Sequence, residues 1–159
     1  MRVGDAVYAL SSFCRDGSAA EFIAIRAADL GPKPHSLTFE QAAAVPLAGL
    51  TAWQALFDHA QIEKGERVLI HGAAGGVGTY AVQLANWKGA EVIATASAKD
   101  HDFLGELGAS EVIDYTHEHF EEKVEGVDVV LDTVGGKTQQ RSWGVLRRGG
   151  ARNSSSWVT

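Results

Sequence analysis

Residues 67–78 read Arg67-Val68-Leu69-Ile70-His71-Gly72-Ala73-Ala74-Gly75-Gly76-Val77-Gly78. The run begins as an apolar strand and continues into a glycine-rich turn, and residues 79–87 then follow the apolar periodicity of a helix. Glycine lacks the Cβ atom that would keep a phosphate group off the backbone, and the first turn of a helix presents unpaired N–H groups at the positive end of its dipole. The stretch therefore predicts a site for a dinucleotide phosphate, with His71 packed beside the turn.

Two glycine patterns fit this turn. Residues 73–78 follow G-x-G-x-x-G with alanine in the first position, and residues 72–78 follow G-x-x-x-G-x-G, the pattern of short-chain dehydrogenases. The second pattern belongs at the start of a chain and requires a Tyr-x-x-x-Lys pair. Here a long segment precedes the turn, and neither Tyr80 nor Tyr115 has a lysine four positions later. The first pattern is therefore the better description.

The segment after the turn alternates predicted strands and helices. Strands are predicted at 91–96, 111–115 and 127–132, and a helix at 102–107. Strands that are apolar at consecutive positions and separated by helices are typical of a parallel sheet covered on both faces. The sequence predicts an α/β fold with a Rossmann-type parallel sheet.

The part of the chain before the turn is less regular. Strands are predicted at 2–9 and 19–25 on either side of a Ser- and Gly-containing loop at 11–18, as at the edge of a separate small β domain. Two helices are predicted at 39–45 and 46–59, the second beginning with Pro46 in its first turn. These helices would link the β domain to the sheet.

Composition limits the classes of function. With 45% hydrophobic and 21% charged residues the 159-residue chain has a globular composition, and its net charge of −6 argues against nucleic-acid binding. No apolar run approaches the ~20 residues of a membrane span, and the N-terminus lacks a signal-peptide pattern, so we expect a cytoplasmic protein without a membrane partner. Cys14 is the only cysteine, which excludes an intrachain disulfide.

Four segments together carry a family resemblance. Residues 46–56, 68–78, 81–85 and 131–136 resemble, in order and spacing, the zinc-free quinone oxidoreductase branch of the alcohol dehydrogenase-like medium-chain dehydrogenase/reductase family. The resemblance covers residues 4 to about 150, which correspond to the middle half of a family member. It implies a remnant of a GroES-like catalytic domain at 1–38, linking helices at 39–60 and a partial NADP-binding Rossmann domain at 61–150, incomplete at its C-terminal side.

The last residues depart from the family pattern. Another buried apolar strand is expected after Gly149-Gly150, but residues 151–159 are polar and would not pair as a central strand. We interpret the chain as a fragment whose tail comes from a frameshift or another sequence foreign to the fold. A true polar terminus of a shortened protein is the alternative.

The residues also argue against zinc. Zinc-dependent relatives place a cysteine or acidic ligand four residues before the threonine of the linking helix, and Leu47 occupies that position before Thr51. An alkyl side chain cannot bind a metal, and the structural zinc site of those relatives would need four cysteines. We therefore predict no metal site.

The choice of cofactor depends on the end of the second predicted Rossmann strand. NAD-specific folds place an acidic residue there to bind the ribose 2′-hydroxyl, but Ala96 takes its place, with Ser97 and Lys99 available to bind a 2′-phosphate. Ser97 could instead cap a helix, Lys99 could be a solvated charge, and Asp100 could pair with Lys99. Tyr115 matches a family tyrosine that reaches the same phosphate. NADPH is the predicted cofactor.

At the nicotinamide end the resemblance implies contacts from Thr51 on the linking helix and from the loop after the fourth Rossmann strand. The predicted cofactor-binding residues are Thr51, Ala74, Gly75, Gly76, Val77, Gly78, Ser97, Lys99, Tyr115, Thr133 and Val134.

The resemblance implies an oxidoreductase that transfers a hydride from C4 of the nicotinamide to a small quinone or enone acceptor. No residue stands out as a catalytic acid. The acceptor could instead be an enoyl thioester, because the enoyl reductase modules of polyketide synthases share the glycine turn and the 95–97 strand end. A non-catalytic remnant that at most binds nucleotide is a further alternative. The full-length family usually forms homodimers through a strand that is absent here.

Overall fold

A computed structural model describes residues 1–14 and 17–148. Gly149-Gly150 and the polar tail at 151–159 lie outside the described residues. Contacts divide the chain into one unit at residues 1–50 and a second at residues 51–159.

The first unit contains little regular structure. Strands β1 (Val7–Tyr8) and β2 (Gly31–Pro32) form a two-residue antiparallel pair, and a single 3₁₀ turn occupies Ala27–Asp29. The predicted strand at 2–9 is thus reduced to two residues, and the predicted strand at 19–25 is wrong. A strand is stabilised by hydrogen bonds to a neighbour, and residues 19–25 have no such neighbour among the described residues.

Helix α1 (Phe39–Trp53) crosses the boundary between the units. It begins with a capping box, in which the Gln41 amide N–H donates to the Thr38 hydroxyl (3.2 Å) and the Thr38 amide N–H donates to the Gln41 side chain (2.9 Å). The prediction of two helices meeting at Pro46 is wrong, because the helix continues through this proline. One proline removes a single backbone donor, and the alanine-rich segment before it keeps a strong helical preference.

The second unit contains a four-stranded parallel sheet. Its strands are β3 (Arg67–His71), β4 (Glu91–Ala96), β5 (Glu111–Asp114) and β6 (Val129–Asp132), in the spatial order β5-β4-β3-β6. The helices are α2 (Gly76–Lys88), α3 (His101–Glu106) and α4 (Lys137–Ser142). This arrangement confirms the predicted α/β class with a Rossmann-type parallel sheet. Among the described residues, no helix has the length and apolar character needed to span a bilayer.

The order of the strands creates a crevice at one edge. The chain moves outward from β3 to β4 and β5, and then returns to place β6 on the other side of β3. Ligands of open α/β sheets bind outside the carboxyl ends of the strands at such a reversal. The glycine turn follows β3 directly, so the topology places it at this crevice.

Each face of the sheet has its own apolar core. Val68 and Ile70 of β3 pack with the inner side of α2, which includes the fully buried Ala81 and Val82. The alternate strand residues pack on the other face together with residues of the connecting segments. This second core includes Leu69, Ile93, Ile113 and Val130 of the strands and Phe120, Val127 and Val145 from outside them. Burial on both faces explains why the strands are apolar at consecutive positions.

Candidate nucleotide-binding site

The glycine turn is closed by backbone hydrogen bonds. The Gly75 amide N–H donates to the Gly72 carbonyl oxygen (2.9 Å), and the Thr79 amide N–H donates to the Gly75 carbonyl oxygen (2.9 Å) to begin α2. Gly72 has φ +68°, a conformation that residues with a Cβ atom rarely adopt. Glycine at position 72 therefore allows the sharp reversal from strand to helix.

Two glycines of the turn serve different purposes. A Cβ atom on Gly78 would overlap the Gly72 carbonyl oxygen and lie 2.6 Å from Ala73 Cα, so position 78 needs glycine for the close packing of α2 against the end of β3. A Cβ atom on Gly76 would meet no atom within 4 Å, and Gly76 is exposed. The space above Gly76 is therefore open to an incoming group, as a pyrophosphate site requires.

The start of α2 offers donors to such a group. Within the described part of the chain, the amide N–H groups of Gly76, Val77 and Gly78 donate to no backbone carbonyl, as expected for the first turn of a helix. The helix dipole adds a partial positive charge at the same place. Of the predicted residues, Ala74, Gly75, Gly76, Val77 and Gly78 are thus brought together in one turn that fits a phosphate anion.

The end of β4 brings Ser97 and Lys99 to the same edge of the sheet. The Ser97 hydroxyl donates to the Asp100 carboxylate at 2.8 Å, and the Ser97 side chain makes no capping bond to the backbone. Lys99 is exposed and forms no ion pair within residues 1–14 and 17–148. Asp100 therefore accepts from Ser97 and not from Lys99, which leaves the Lys99 ammonium available to an anion.

Tyr115 lies beside this strand end. Its amide N–H donates to the Ala96 carbonyl oxygen (3.3 Å), which extends the β4–β5 pairing that aligns Ala96 with Asp114. The Tyr115 side chain is 62% exposed. The neighbouring strand ends thus bring Tyr115 and Ser97 to the same part of the edge.

A carboxylate supports the turn that follows Tyr115. Asp114 accepts hydrogen bonds from the Thr116 hydroxyl (2.6 Å), the Thr116 amide N–H (3.0 Å) and His117 Nδ1 (2.9 Å). These bonds, the one from the Thr116 hydroxyl above all, lower the pKa of Asp114 to about 2. Asp114 is therefore ionised at neutral pH and holds the backbone on both sides of Tyr115.

The loop after β6 is held by two side chains. Asp132 Oδ1 accepts from the amide N–H groups of Val134 (2.8 Å) and Gly135 (2.9 Å). The Thr133 hydroxyl donates to the His71 carbonyl oxygen at 2.8 Å, so its side chain braces the end of β3. Val134 is 62% exposed, and its side chain is free to contact a ligand. Thr51, the remaining predicted residue, lies outside these strand-end loops, on α1, where it is half-buried.

His71 contributes more than the packing that the sequence suggested. It is 1% exposed, and its ring nitrogens contact the hydroxyls of Thr95 and Ser142 at 3.0 Å each. Burial lowers the pKa of His71 to about 4, so the imidazole is neutral at physiological pH. In the sequence, this buried role is signalled by a polar residue, His71, on the same strand face as the buried Leu69. The sequence does not indicate which residues bond to its ring.

Within the described ranges, no three His, Cys, Asp or Glu side chains converge on a common point.

The strand order and the helices that cover the sheet define an α/β protein with a Rossmann-type parallel sheet. The family model for zinc-binding dehydrogenases matches residues 76–154. The "NAD(P)H oxidoreductase RTN4IP1, mitochondrial" of mouse (Mus musculus) is 39% identical over 152 residues, which cover 91% of this chain and 38% of the relative. The chain belongs to the medium-chain dehydrogenase/reductase family.

Solved structures agree with this assignment. An alcohol dehydrogenase superfamily protein from Novosphingobium aromaticivorans is 40% identical with a TM-score of 0.87, over 94% of this chain and 47% of that protein. The quinone oxidoreductase of Coxiella burnetii is 47% identical (TM-score 0.72, 75% of this chain, 38% of that one). The CurK enoyl reductase is 43% identical with a TM-score of 0.73, over 77% of this chain and 39% of that protein. The chain thus spans about two fifths to one half of the length of these proteins.

Proposed function

We propose that this chain forms the nucleotide-binding part of an NADPH-dependent, zinc-independent oxidoreductase that reduces a quinone or enone. The observation that supports this most directly is the open space above Gly76, next to the first-turn N–H groups of α2. A phosphate anion fits this cradle, because no atom lies within 4 Å of the place that a Cβ atom on Gly76 would take. The similarity to a quinone oxidoreductase supports the acceptor class.

The preference for NADPH is argued from the end of β4. Ala96 lies where NAD-specific folds have an acidic residue that binds the ribose 2′-hydroxyl. Lys99 is exposed and has no ion pair in the described part of the chain. Asp100 is turned toward the Ser97 hydroxyl. Lys99 and the Tyr115 hydroxyl would bind the 2′-phosphate by charge-assisted hydrogen bonds.

The reduced nicotinamide, when bound, supplies a hydride from its C4 atom. The residues of this chain bind and orient the dinucleotide, with the glycine turn on the pyrophosphate and the Thr133–Val134 backbone and Thr51 toward the nicotinamide. Val134 would shield one side of the ring from water. Zinc independence is argued from Leu47 at the ligand position and from Cys14 as the only cysteine.

An enoyl thioester is the second candidate acceptor, favoured by the similarity to the CurK enoyl reductase. Both reactions use the same cofactor site, so the acceptor distinguishes them. Mixing a family-length protein that contains this segment with NADPH and either a quinone or an enoyl thioester would separate the two by the loss of nicotinamide absorbance. The cytoplasmic location and the homodimer of a full-length relative stay predictions, and the mouse relative is named mitochondrial.

The decisive test of the proposal is a titration of the 159-residue chain with NADPH and with NADH, followed by nicotinamide fluorescence and by thermal stability. Saturable binding with a preference for NADPH, accompanied by a rise in Tm, is expected. Equal affinity for both cofactors would refute the 2′-phosphate site. Absence of binding with a cooperative melting transition would refute the nucleotide site itself.

A further inference from the structure

A cluster of buried polar side chains lies under α4, on the face of the sheet opposite to α2. Strand pairing places His71 of β3 between Thr95 of β4 and Asp132 of β6, and Ser142 of α4 contacts the His71 ring. All four residues are at least nine-tenths buried. A buried polar group is costly unless it is hydrogen-bonded, so the direction of each bond in this cluster can be worked out from its donors and acceptors.

The proton positions follow from Ser142. Its hydroxyl donates to the Thr138 carbonyl oxygen (2.7 Å), and the Ser142 oxygen must therefore accept from His71 Nε2–H (3.0 Å). The neutral imidazole then has no proton on Nδ1, which accepts from the Thr95 hydroxyl (3.0 Å). One tautomer of His71 satisfies every partner.

The same residue is connected to both ends of the loop at residues 133–136. At the start of the loop, the Thr133 hydroxyl donates to the His71 carbonyl oxygen (2.8 Å). At its end, α4 begins directly after Gly136, and Ser142 attaches this helix to the His71 ring. Gly135 and Gly136 have φ of +77° and +61°, so this loop depends on its anchors for a defined conformation.

We propose that His71 is a positioning residue, whose ring holds α4 through Ser142 and thereby sets the conformation of the loop that contacts the nicotinamide end of the cofactor. The assignment of that loop to the nicotinamide rests on the proposed function, whereas the control of the loop by His71 does not. The other charged groups near the ring are Asp132 of β6, Arg141 of α4 and Glu121 of the 3₁₀ turn before β6. Phe120 packs edge-on against the ring, with 4.5 Å between centroids.

Three variants test this proposal. His71→Phe fills the space of the ring and removes both of its hydrogen bonds, while His71→Gln keeps an N–H donor near the position of Nε2 for Ser142. Thr95→Val is the matched control, because it removes the other bond of the same ring without touching α4 or the loop. The first readout is amide hydrogen exchange at Val134 and Gly135 in the cofactor-free chain.

His71→Phe is expected to speed exchange at Val134 and Gly135 by about tenfold, the effect of losing one buried hydrogen bond, with Gln restoring most of the protection. Thr95→Val is expected to lower Tm without changing exchange in the loop. Exchange in His71→Phe that equals that of the unmutated chain, or an equal change in Thr95→Val, would overturn the proposal.

The second readout compares NADPH with adenosine 2′,5′-bisphosphate, which has the adenosine end and lacks the nicotinamide. His71→Phe is expected to weaken the binding of NADPH by about tenfold and the binding of the bisphosphate by less than about twofold. An equal loss for both ligands would indicate a general structural role and contradict the positioning role. If the unmutated chain binds neither ligand, the proposed function fails, and the exchange measurement alone decides the role of His71.

Discussion

Gly78 lies so close to the carbonyl oxygen of Gly72 that even a methyl group at position 78 would overlap it. This approach allows the first turn of α2 to pack against the end of β3, where Ala73 is fully buried. Position 76, two residues earlier, has no such neighbour. Gly78 is thus required by the packing of the fold, whereas Gly76 leaves space for a ligand.

Gly78→Ala and Gly76→Ala form a matched pair. Gly78→Ala is expected to lower the free energy of unfolding by about 1–3 kcal/mol because the methyl group is forced against the backbone. Gly76→Ala is expected to leave this free energy unchanged or raise it by about 0.5 kcal/mol, because alanine favours the helix. The same variant is expected to weaken the binding of NADPH, because the methyl group blocks the approach of the pyrophosphate. Urea denaturation and a fluorescence titration of both variants check this pair. Equal stability of the two variants would contradict the packing argument.

Lys99 and Asp100 are expected to act in opposite directions on the cofactor preference. Lys99→Ala removes a cation from the 2′-phosphate and should reduce the NADPH-over-NADH preference by about 1–2 kcal/mol, as for one charge-assisted contact. Asp100→Asn removes a negative charge next to Ser97 and should increase the preference. The ratio of the two dissociation constants is the measurement, and NADH affinity serves as the internal control. A preference that both variants leave unchanged would place the 2′-phosphate elsewhere.

The buried imidazole of His71 should make stability depend on pH. Its pKa falls from the ordinary 6.5 to about 4 on folding, so between these values the unfolded chain binds the proton more tightly. Stability is therefore lost as the pH falls from above 6.5 toward 4, with about 2 kcal/mol of this loss between pH 7 and 5. His71→Gln, which does not titrate, should show a flatter curve over this range in urea denaturation. Parallel curves for the two proteins would show that other groups cause the dependence.

Asp128 connects the start of β3 to the segment after α4. Its carboxylate accepts from the Arg67 amide N–H (2.7 Å) and pairs with Arg147 Nε (2.5 Å), and the Asp128 side chain is 12% exposed whereas that of Arg147 is 55% exposed. Asp128→Ala should cost about 1–2 kcal/mol of unfolding free energy, because the partly buried Arg67 N–H loses its acceptor. Arg147→Met, the control that removes the ion pairs of Arg147 with Asp128 and Glu66 and keeps the Asp128 acceptor, should cost less than about 1 kcal/mol at this exposed site. Equal losses in the two variants would assign the effect to the ion pair.

The strands of the second unit were predicted well, whereas α4 was not predicted. Apolar runs at consecutive positions gave β4 to the residue and β5 to within one residue, because burial on both faces leaves no polar alternation. The strand predicted at 127–132 begins two residues later, at Val129, since Val127 instead bridges to Leu146. The predictions for the first unit were poorer, since a short strand depends on the neighbour with which it pairs.

The sequence by itself determined the class of fold and the place of the glycine turn, because hydrophobic periodicity and glycine spacing are local properties of the chain. Only the tertiary structure decided how the side chains around that turn are connected. The bond from Ser97 to Asp100 leaves Lys99 without a partner in the described part of the chain, and Thr95 and Ser142 select one tautomer of His71. The two partners of His71 come from the neighbouring strand β4 and from α4, 24 and 71 residues along the chain, and only the packing of the sheet brings them within hydrogen-bond distance.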